Sequence, residues 1–316
     1  MFSKLGGIAR LLQQWFSRSR ALLLLLPMLL GVATTHAAES TPNDVYAQAV
    51  RIEVEVDSLK RHFKITGKAR VEAKSGDLKP RHVWAKTYVI LLKLGKLRRQ
   101  QGLTYIVPAN VEPLLDMPPS QPWGMTQRIL TEIAIFKQRL DIPGQLPAAV
   151  PVSGKRSIDN YNKLNQISGD LDLLVGASTP NDAYSEAKRL HEDITALLRH
   201  QRIFDEAVPP PRRDNLQPKD SLQAVFMLIG EIQRIQRAHG LATTDFKGFE
   251  MADKATPDDV LAMIELALSE LQVIKARLGM THAVTAPGTY EENKTPTDVV
   301  QLLGYVTAKL REVQSK

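Results

Sequence analysis

The sequence predicts an all-α protein made of two four-helix units, and three observations support this prediction. Apolar residues recur at alternating steps of three and four over stretches of about 20 residues, the pattern of amphipathic helices. Eight similar helix starts follow one another, most of them 38 or 39 residues apart. The first four starts return 138 residues later, and 11 of the 26 positions from 41 to 66 are identical to those from 179 to 204. We interpret this double period as a tandem duplication.

The helix starts are built on Thr-Pro-Asn-Asp, which occurs at residues 41–44 and again at 179–182. The side chain of Thr41 can accept a hydrogen bond from a free N–H of the first turn. Pro42 suits the first helical position, and Asp44 suits the third, where its carboxylate can accept a hydrogen bond from the backbone N–H of the capping residue. Because capping explains every residue, we interpret the motif as structural rather than as a binding motif. Related or weaker starts begin at positions 79, 118, 157, 217, 256 and 295.

Residues 1–37 have the features of a secretory signal peptide. Four basic residues and no acidic residue precede or border a mostly apolar run, and small residues follow it, with a cleavage point near Ala37. The run is short for a membrane span, and an uncleaved N-terminal anchor is the alternative. We therefore expect an exported, periplasmic protein whose mature chain has no transmembrane segment.

The charge of the chain does not indicate nucleic-acid binding. The full chain has 41 basic and 34 acidic residues, and without the leader 37 basic residues face the same 34 acidic ones, a net charge of +3. No basic stripe with interleaved aromatic residues occurs. The chain has no cysteine, which excludes disulfides and thiolate metal sites.

The first unit, residues 38–176, contains helices predicted at 42–63, 80–101, 119–140 and 158–175. The first carries a heptad seam, whereas the second is apolar over a wider arc and ends in two arginines and a glycine. His82, in the first turn of the second helix, is expected at the surface. The seam of the first helix consists of Val45, Ala49, Ile52, Val56, Leu59 and Phe63.

The second unit, residues 177–316, repeats this pattern in register. Its second helix ends at Gly240-Leu241 as the corresponding helix of the first unit ends at Gly102-Leu103. No stretch reads as a strand. Six of the seven predicted connections are about 15 residues long, whereas bundles normally use two to eight. Each is long enough to run back along a helix and start the next one parallel to it. An up-down bundle with long loops and a solenoid of helix–loop units both stay open.

The sequence contains no catalytic motif and no cofactor motif. There is no Gly-rich phosphate loop after a strand, no nucleophile elbow and no zinc-ligand spacing. Duplicated residues off the seam are the first candidates for equivalent binding sites: Tyr46 with Tyr184, and Arg51 with Arg189. The alternative is that these pairs survive from the duplication and make local contacts. Trp84 and Tyr88 in the first unit and Phe226 in the second are candidates to line a ligand pocket.

Three functions compete on this basis. The first is a non-enzymatic, exported helical-repeat protein that serves as an adaptor or scaffold for an envelope or membrane protein partner. The second is a periplasmic sensor or carrier that holds a small ligand within its helices. The third, a cell-wall-acting enzyme, needs a cleft with a perturbed carboxylate. An exposed apolar patch would favour the first function, and a pocket would favour the second.

Overall fold

The computed structural model describes residues 40–104, 113–250, 254–280 and 290–313. These residues form eight α-helices and a short 3₁₀ turn at Lys247–Phe249, and they contain no strand, so the all-α prediction is confirmed. The predicted signal peptide lies outside the described residues. The helices are α1 (Pro42–His62), α2 (Pro80–Gln100), α3 (Ser120–Arg139), α4 (Ser157–Val175), α5 (Pro180–His200), α6 (Pro218–Ala238), α7 (Pro257–Arg277) and α8 (Pro296–Arg311).

Seven of the eight described helices start in one pattern, in which the side chain of the third helical residue accepts from the backbone N–H of the N-cap; α3, whose N-cap is Pro119, differs. At α1, Asp44 Oδ2 accepts from the backbone N–H of Thr41 at 2.7 Å, as predicted. The hydroxyl of Thr41 also donates to the same carboxylate at 2.7 Å, and the capping box predicted for this helix start is present. Of the threonine caps, Thr256 accepts from a backbone N–H, at 3.3 Å. Equivalent acceptors are Asp159, Asp182, Asp220, Asp259, Asp298 and, at α2, His82.

Six of the eight described helices also end in one geometry, and α4 and α8 differ. The residue after the C-cap has a positive φ, as at Gly102 (69°) and Gly240 (69°). The next residue then donates its N–H to a carbonyl five positions earlier, as Leu103 does to Arg98 at 2.9 Å, which is a Schellman motif. The apolar residue in that place is Ile65, Leu103, Ile142, Ile203, Leu241 or Met280. This motif accounts for apolar residues at the starts of long loops.

Helices α1 to α4 form one four-helix bundle, and α5 to α8 form a second. In each bundle the first helix packs on the third and fourth, and the second helix packs on the same two. All four helices of a bundle are parallel. In the second bundle, the four N-terminal prolines, Pro180, Pro218, Pro257 and Pro296, meet at one end.

Parallel packing is possible because the long loops that the structure describes in full return along a neighbouring helix. Residues 63–79 run back along α4: Asp170 accepts from the N–H of Ala69 at 2.8 Å, and Asn162 accepts from that of Lys74 at 2.8 Å. Residues 201–217 run back along α8 in the same way, with Arg212 bound to Asp298 at 2.7 Å. The loop lengths allowed such a return path without requiring it, and the described helices pack as bundles of parallel helices.

The two bundles lie side by side in opposite directions, with α2 packed against α7. The start of α2 lies beside the second half of α7, where His82 contacts Glu270, and the end of α2 lies beside the start of α7, where Lys93 contacts Asp258. The expectation that His82 lies at the surface is wrong: its exposure is 0%, because α7 covers the first turn of α2.

The two bundles share contacts at equivalent positions. Asn43 accepts from the N–H of Lys155 in the first, and Asn181 accepts from that of Lys294 in the second, both at 2.8 Å. The buried ion pair of Lys137 with Glu55 also has its counterpart, 138 positions later, in that of Lys275 with Asp193. The duplication, and with it the division at residues 176 and 177 into two repeat units, stays a prediction. None of the described helices has both the length and the apolar content needed to cross a bilayer.

Candidate functional site

A cavity of about 490 Å³ lies where the two bundles meet. Its walls come from the loop 69–74, from α2 and α4 of the first bundle, and from the start of α7. The loop reaches the cavity because Gly169 of α4 lets it approach closely: a Cβ at this position would lie 2.5 Å from Val71. Charged side chains in the wall are Lys74, Lys86, Lys93, Asp172, Asp258 and Asp259, together with Arg70 and Glu72 of the loop.

Lys93 joins the two bundles across this cavity. Its Nζ donates to Asp172 of α4 at 2.6 Å and to Asp258 of α7 at 3.0 Å. It also donates to the carbonyl of Ser168 at 3.3 Å, so an ammonium that is 5% exposed has three partners. Asp258 is free for this contact because its neighbour Asp259 caps α7. A second cavity of about 200 Å³, on the side of α5, also has Lys93 in its wall.

The two carboxylates that share Lys93 differ in proton affinity. Burial raises the pKa of Asp172 to about 6, against the effect of Lys93, and the nearby negative charge of Asp258 adds to the rise. Burial also acts to raise the pKa of Asp258, but Lys93 and the N–H of Ser178 outweigh it and hold that pKa below its usual range. One of the two groups can therefore exchange a proton near neutral pH while the other stays ionised.

Lys86, two turns before Lys93 on α2, also lines the cavity. Its Nζ lies 5.8 Å from the centre of the Tyr161 ring, and Tyr161 packs edge-on against Phe249 at 5.4 Å between ring centres. Burial, together with the positive charge of Lys93, lowers the pKa of Lys86 to about 7. Burial raises the pKa of Tyr161, so that its hydroxyl stays protonated.

The duplicated tyrosines make the same local contact in each bundle and lie outside the cavity. Lys155 lies over the ring of Tyr46, and Lys294 lies over the ring of Tyr184, each with Nζ 4.3 Å from the ring centre. Each lysine immediately precedes the N-cap residue of the fourth helix of its bundle. These pairs have the geometry of cation–π contacts that attach a return loop to the first helix.

The duplicated arginines have different surroundings. Arg51 is half-buried, and its Nε donates to the carbonyl of Pro147 at 2.7 Å on a return loop. Arg189 is buried between the bundles, where its guanidinium lies 4.1 Å from the centre of the Tyr88 ring and binds Glu186 at 3.1 Å. The two arginines therefore occupy corresponding positions in the sequence but make different contacts.

The structure brings Trp84 and Tyr88 together with Arg189 and leaves Phe226 apart. Trp84 and Tyr88 stack with ring centres 5.6 Å apart, and both are buried. The space beside Trp84 is about 10 Å³, enough for about one water molecule. Phe226 is half-buried against the core of the second bundle. These aromatic side chains serve packing, and the large cavity has other walls.

Sequence reasoning did not single out the charged residues of the cavity. The available signal was the pair Lys86 and Lys93, which lie seven residues apart on an otherwise apolar arc of α2. A second signal was the doubled acid Asp258-Asp259, of which only one is needed for capping.

The described residues contain no group of three His, Asp or Glu side chains placed to hold a metal ion. No protein-family model matches the chain, and no curated protein or solved structure is significantly similar to it.

Proposed function

We propose that this protein is an exported, non-enzymatic binder of a small polar ligand, which it holds between its two bundles as a carrier or sensor. The observation that carries the proposal is the cavity of about 490 Å³ with buried charges of both signs in its wall. Ligand sites typically measure about 300–1,000 Å³ and combine apolar walls with a few fixed polar groups.

The polar groups of this cavity are held in place before a ligand arrives. Lys93 is fixed by Asp172 and Asp258, which come from different bundles. A ligand that contacts this group therefore touches both bundles at once, and its binding is coupled to their relative position. Such coupling is what a sensor needs to report occupancy to a partner.

A thermal-shift screen of the chain against small polar metabolites tests this proposal. A true ligand raises Tm in proportion to the logarithm of its concentration above Kd. Ala262 of α7 lines the cavity, and Ala262→Phe fills it. Ala276→Phe, on the same helix but away from the cavity, is the matched control, since both alanines are half-buried. We expect the ligand shift to disappear in A262F and to persist in A276F. Equal shifts in both variants would contradict a site in this cavity.

The adaptor function is a second candidate, and one exposed loop favours it. Phe204 and Val208 lie on the return loop 201–217 with exposures of 82% and 74%. The loop is held to α8 by Arg212 and Asp298, so these apolar side chains are presented at a fixed place. We expect a pull-down with crosslinking from an envelope extract to capture one dominant membrane protein. Phe204→Ser with Val208→Ser should abolish that capture, and capture that survives would remove the loop from consideration.

The proposed export is supported by the basic, apolar and small-residue pattern of residues 1–37. Cell fractionation with and without these residues tests it. Retention of the full-length chain in the cytoplasm would contradict a periplasmic location.

A further inference from the structure

Lys86 differs from every other buried lysine among the described residues. Five buried lysines each have a carboxylate within 4.0 Å. Lys86 is equally buried, and the described parts of the chain give it neither an ion pair nor a hydrogen bond. The five paired lysines are Lys60 with Asp170, Lys93 with Asp172, Lys137 with Glu55, Lys275 with Asp193, and Lys309 with Asp205.

An ammonium group in this position is costly, because burial removes its water and no anion replaces it. The neutral amine is therefore favoured, and a neutral amine is a nucleophile. The charged groups that face Lys86 are Lys93 on its own helix, Asp172 on α4, and Asp258 and Asp259 on α7, together with the phenol of Tyr161. Lys93 has bound Asp172 and Asp258 already, so these acids do not pair with Lys86.

Nothing in the bundle requires a lysine here. The position 138 residues later, in the corresponding helix of the second bundle, is Ala224. An alanine is therefore sufficient for helix packing at this position of a parallel bundle, whereas Lys86 lines the cavity. The side chain therefore serves the cavity rather than the helix packing.

We propose that Lys86 is a covalent attachment site, which holds an aldehyde or ketone ligand in the cavity as a reversible imine. The inference rests on the proposed function, because it names the chemical class of the ligand for the same cavity. It adds a bond that a purely non-covalent binder does not form.

The reaction balances with groups that are present. The lone pair of Lys86 Nζ attacks the carbonyl carbon, the carbonyl oxygen takes up a proton, and the nitrogen loses one to give a carbinolamine. The hydroxyl then leaves as water with one further proton, a C=N bond forms, and the iminium nitrogen loses its remaining proton to give the imine. The sum is amine plus carbonyl to imine plus water, with no change in oxidation state. Asp172 lines the same cavity, and its pKa of about 6 lets it exchange protons near neutrality. Hydrolysis reverses the sequence and frees the ligand.

Reductive trapping tests the proposal on the full chain. The protein is incubated at pH 7.5 with butanal at about one equivalent and sodium cyanoborohydride, and the alkylated lysines are identified by peptide mapping. We expect alkylation of Lys86 to be on the order of ten-fold faster than that of exposed lysines, whose amines are almost fully protonated at this pH. Lys64, which is exposed, is the internal reference.

Wild-type mapping needs no variant, so the test does not depend on a substitution that folds. Lys86→Met provides the second arm: it removes the amine and keeps the length of the side chain. We expect butanal to raise the Tm of the wild type and not that of K86M. Butan-1-ol cannot form an imine, so its Tm shift in either protein should be smaller than the shift that butanal gives in the wild type. Alkylation spread over exposed lysines with Lys86 unmodified would overturn the imine.

The two proposals fail separately. A screened ligand that stabilises wild type and K86M equally, and loses its effect in A262F, leaves the binding function standing and overturns the covalent bond. If Lys86 is alkylated equally fast in the wild type and in A262F, the carbonyl compound does not reach Lys86 through this cavity, and the cavity is contradicted as the binding site.

Discussion

His82 and Glu270 join the two bundles through a buried hydrogen bond of 2.5 Å. His82 Nδ1 accepts from the backbone N–H of Lys79 at 2.8 Å, so Nδ1 carries no proton. The proton of the neutral ring therefore lies on Nε2, which donates to Glu270 Oε1. One side chain thus caps α2 and binds α7 at the same time.

Replacing His82 by Asp separates these two roles. Aspartate is the residue that other helices use at this position, so the cap is retained, but a second carboxylate then faces Glu270. We expect His82→Asp to lower the free energy of unfolding by roughly 3–5 kcal/mol, measured by urea denaturation. Asp220→Ala, at the corresponding position of α6, is the control and should cost only about 1 kcal/mol. Similar losses in both variants would mean that the contact between bundles contributes little.

The same pair predicts a loss of stability in mild acid. Burial lowers the pKa of His82 in the folded protein, so below about pH 6.5 the unfolded chain binds a proton that the folded protein does not. Stability therefore falls as pH decreases from about 6.5, by at most about 1.4 kcal/mol per pH unit from this group. Asn at position 82 keeps an acceptor for the cap and does not titrate. We expect the stability advantage of the wild type over His82→Asn to shrink between pH 7 and pH 5, and a constant difference would contradict this origin.

Glu270 extends the effect to lower pH. Burial acts to raise its pKa, but the hydrogen bonds from His82 and Arg81 outweigh burial and bring the pKa down to about 2. A carboxyl with a lowered pKa stabilises the folded state above its unfolded value of 4.5, and this contribution is lost as pH falls towards 2.

Glu265 and Glu270 give a matched test on one helix. Both are buried on α7, but burial raises the pKa of Glu265 well above its ordinary value, although Arg189 opposes this effect. Burial makes the ionised form of Glu265 costly, so we expect Glu265→Gln to lower the free energy of unfolding at pH 7 less than Glu270→Gln does. Glu270→Gln removes a carboxylate that its partners stabilise and should cost roughly 3 kcal/mol. The reverse order of these two costs would contradict the opposite directions of the two pKa shifts.

Two glycines in helices are predicted to respond oppositely to alanine. A Cβ at Gly169 would lie 2.5 Å from Val71 and 3.0 Å from Ala69, so Gly169→Ala should push the return loop off α4 and destabilise the fold. A Cβ at Gly230 meets nothing within 4 Å, so Gly230→Ala should stabilise α6 by about 0.5–1 kcal/mol. Thermal denaturation measures both, and limited proteolysis should show faster cleavage in residues 66–76 of G169A alone. A stabilised G169A would show that the loop moves aside at no cost.

The helices were predictable because their signals are local. Proline, the capping acid and the terminal glycine act within a few residues of each helix end, and the predicted bounds agree with the observed ones to within one or two residues. The sequence left the direction of the loops open, because their length allows a return path without requiring one.

The candidate site was not predictable in the same way, because it depends on which helices meet across the bundles. Lys93 and Asp258 lie 165 positions apart, and no local pattern pairs them. The wide apolar arc of α2 indicated a helix buried on several sides. On α7, Leu261, Leu266 and Val273 are likewise buried.

The return loops have a consequence for how the chain folds. In an up-down bundle, neighbouring helices in sequence can form a hairpin early, but α1 packs chiefly on α3 and α4. Its core contacts therefore close only across residues 63–119, since α1 ends at His62 and α3 begins at Ser120. Folding rates fall as such distant contacts come to dominate. We expect this helical protein to fold as slowly as many β-sheet proteins of its size, and to expose apolar helix faces for most of that time.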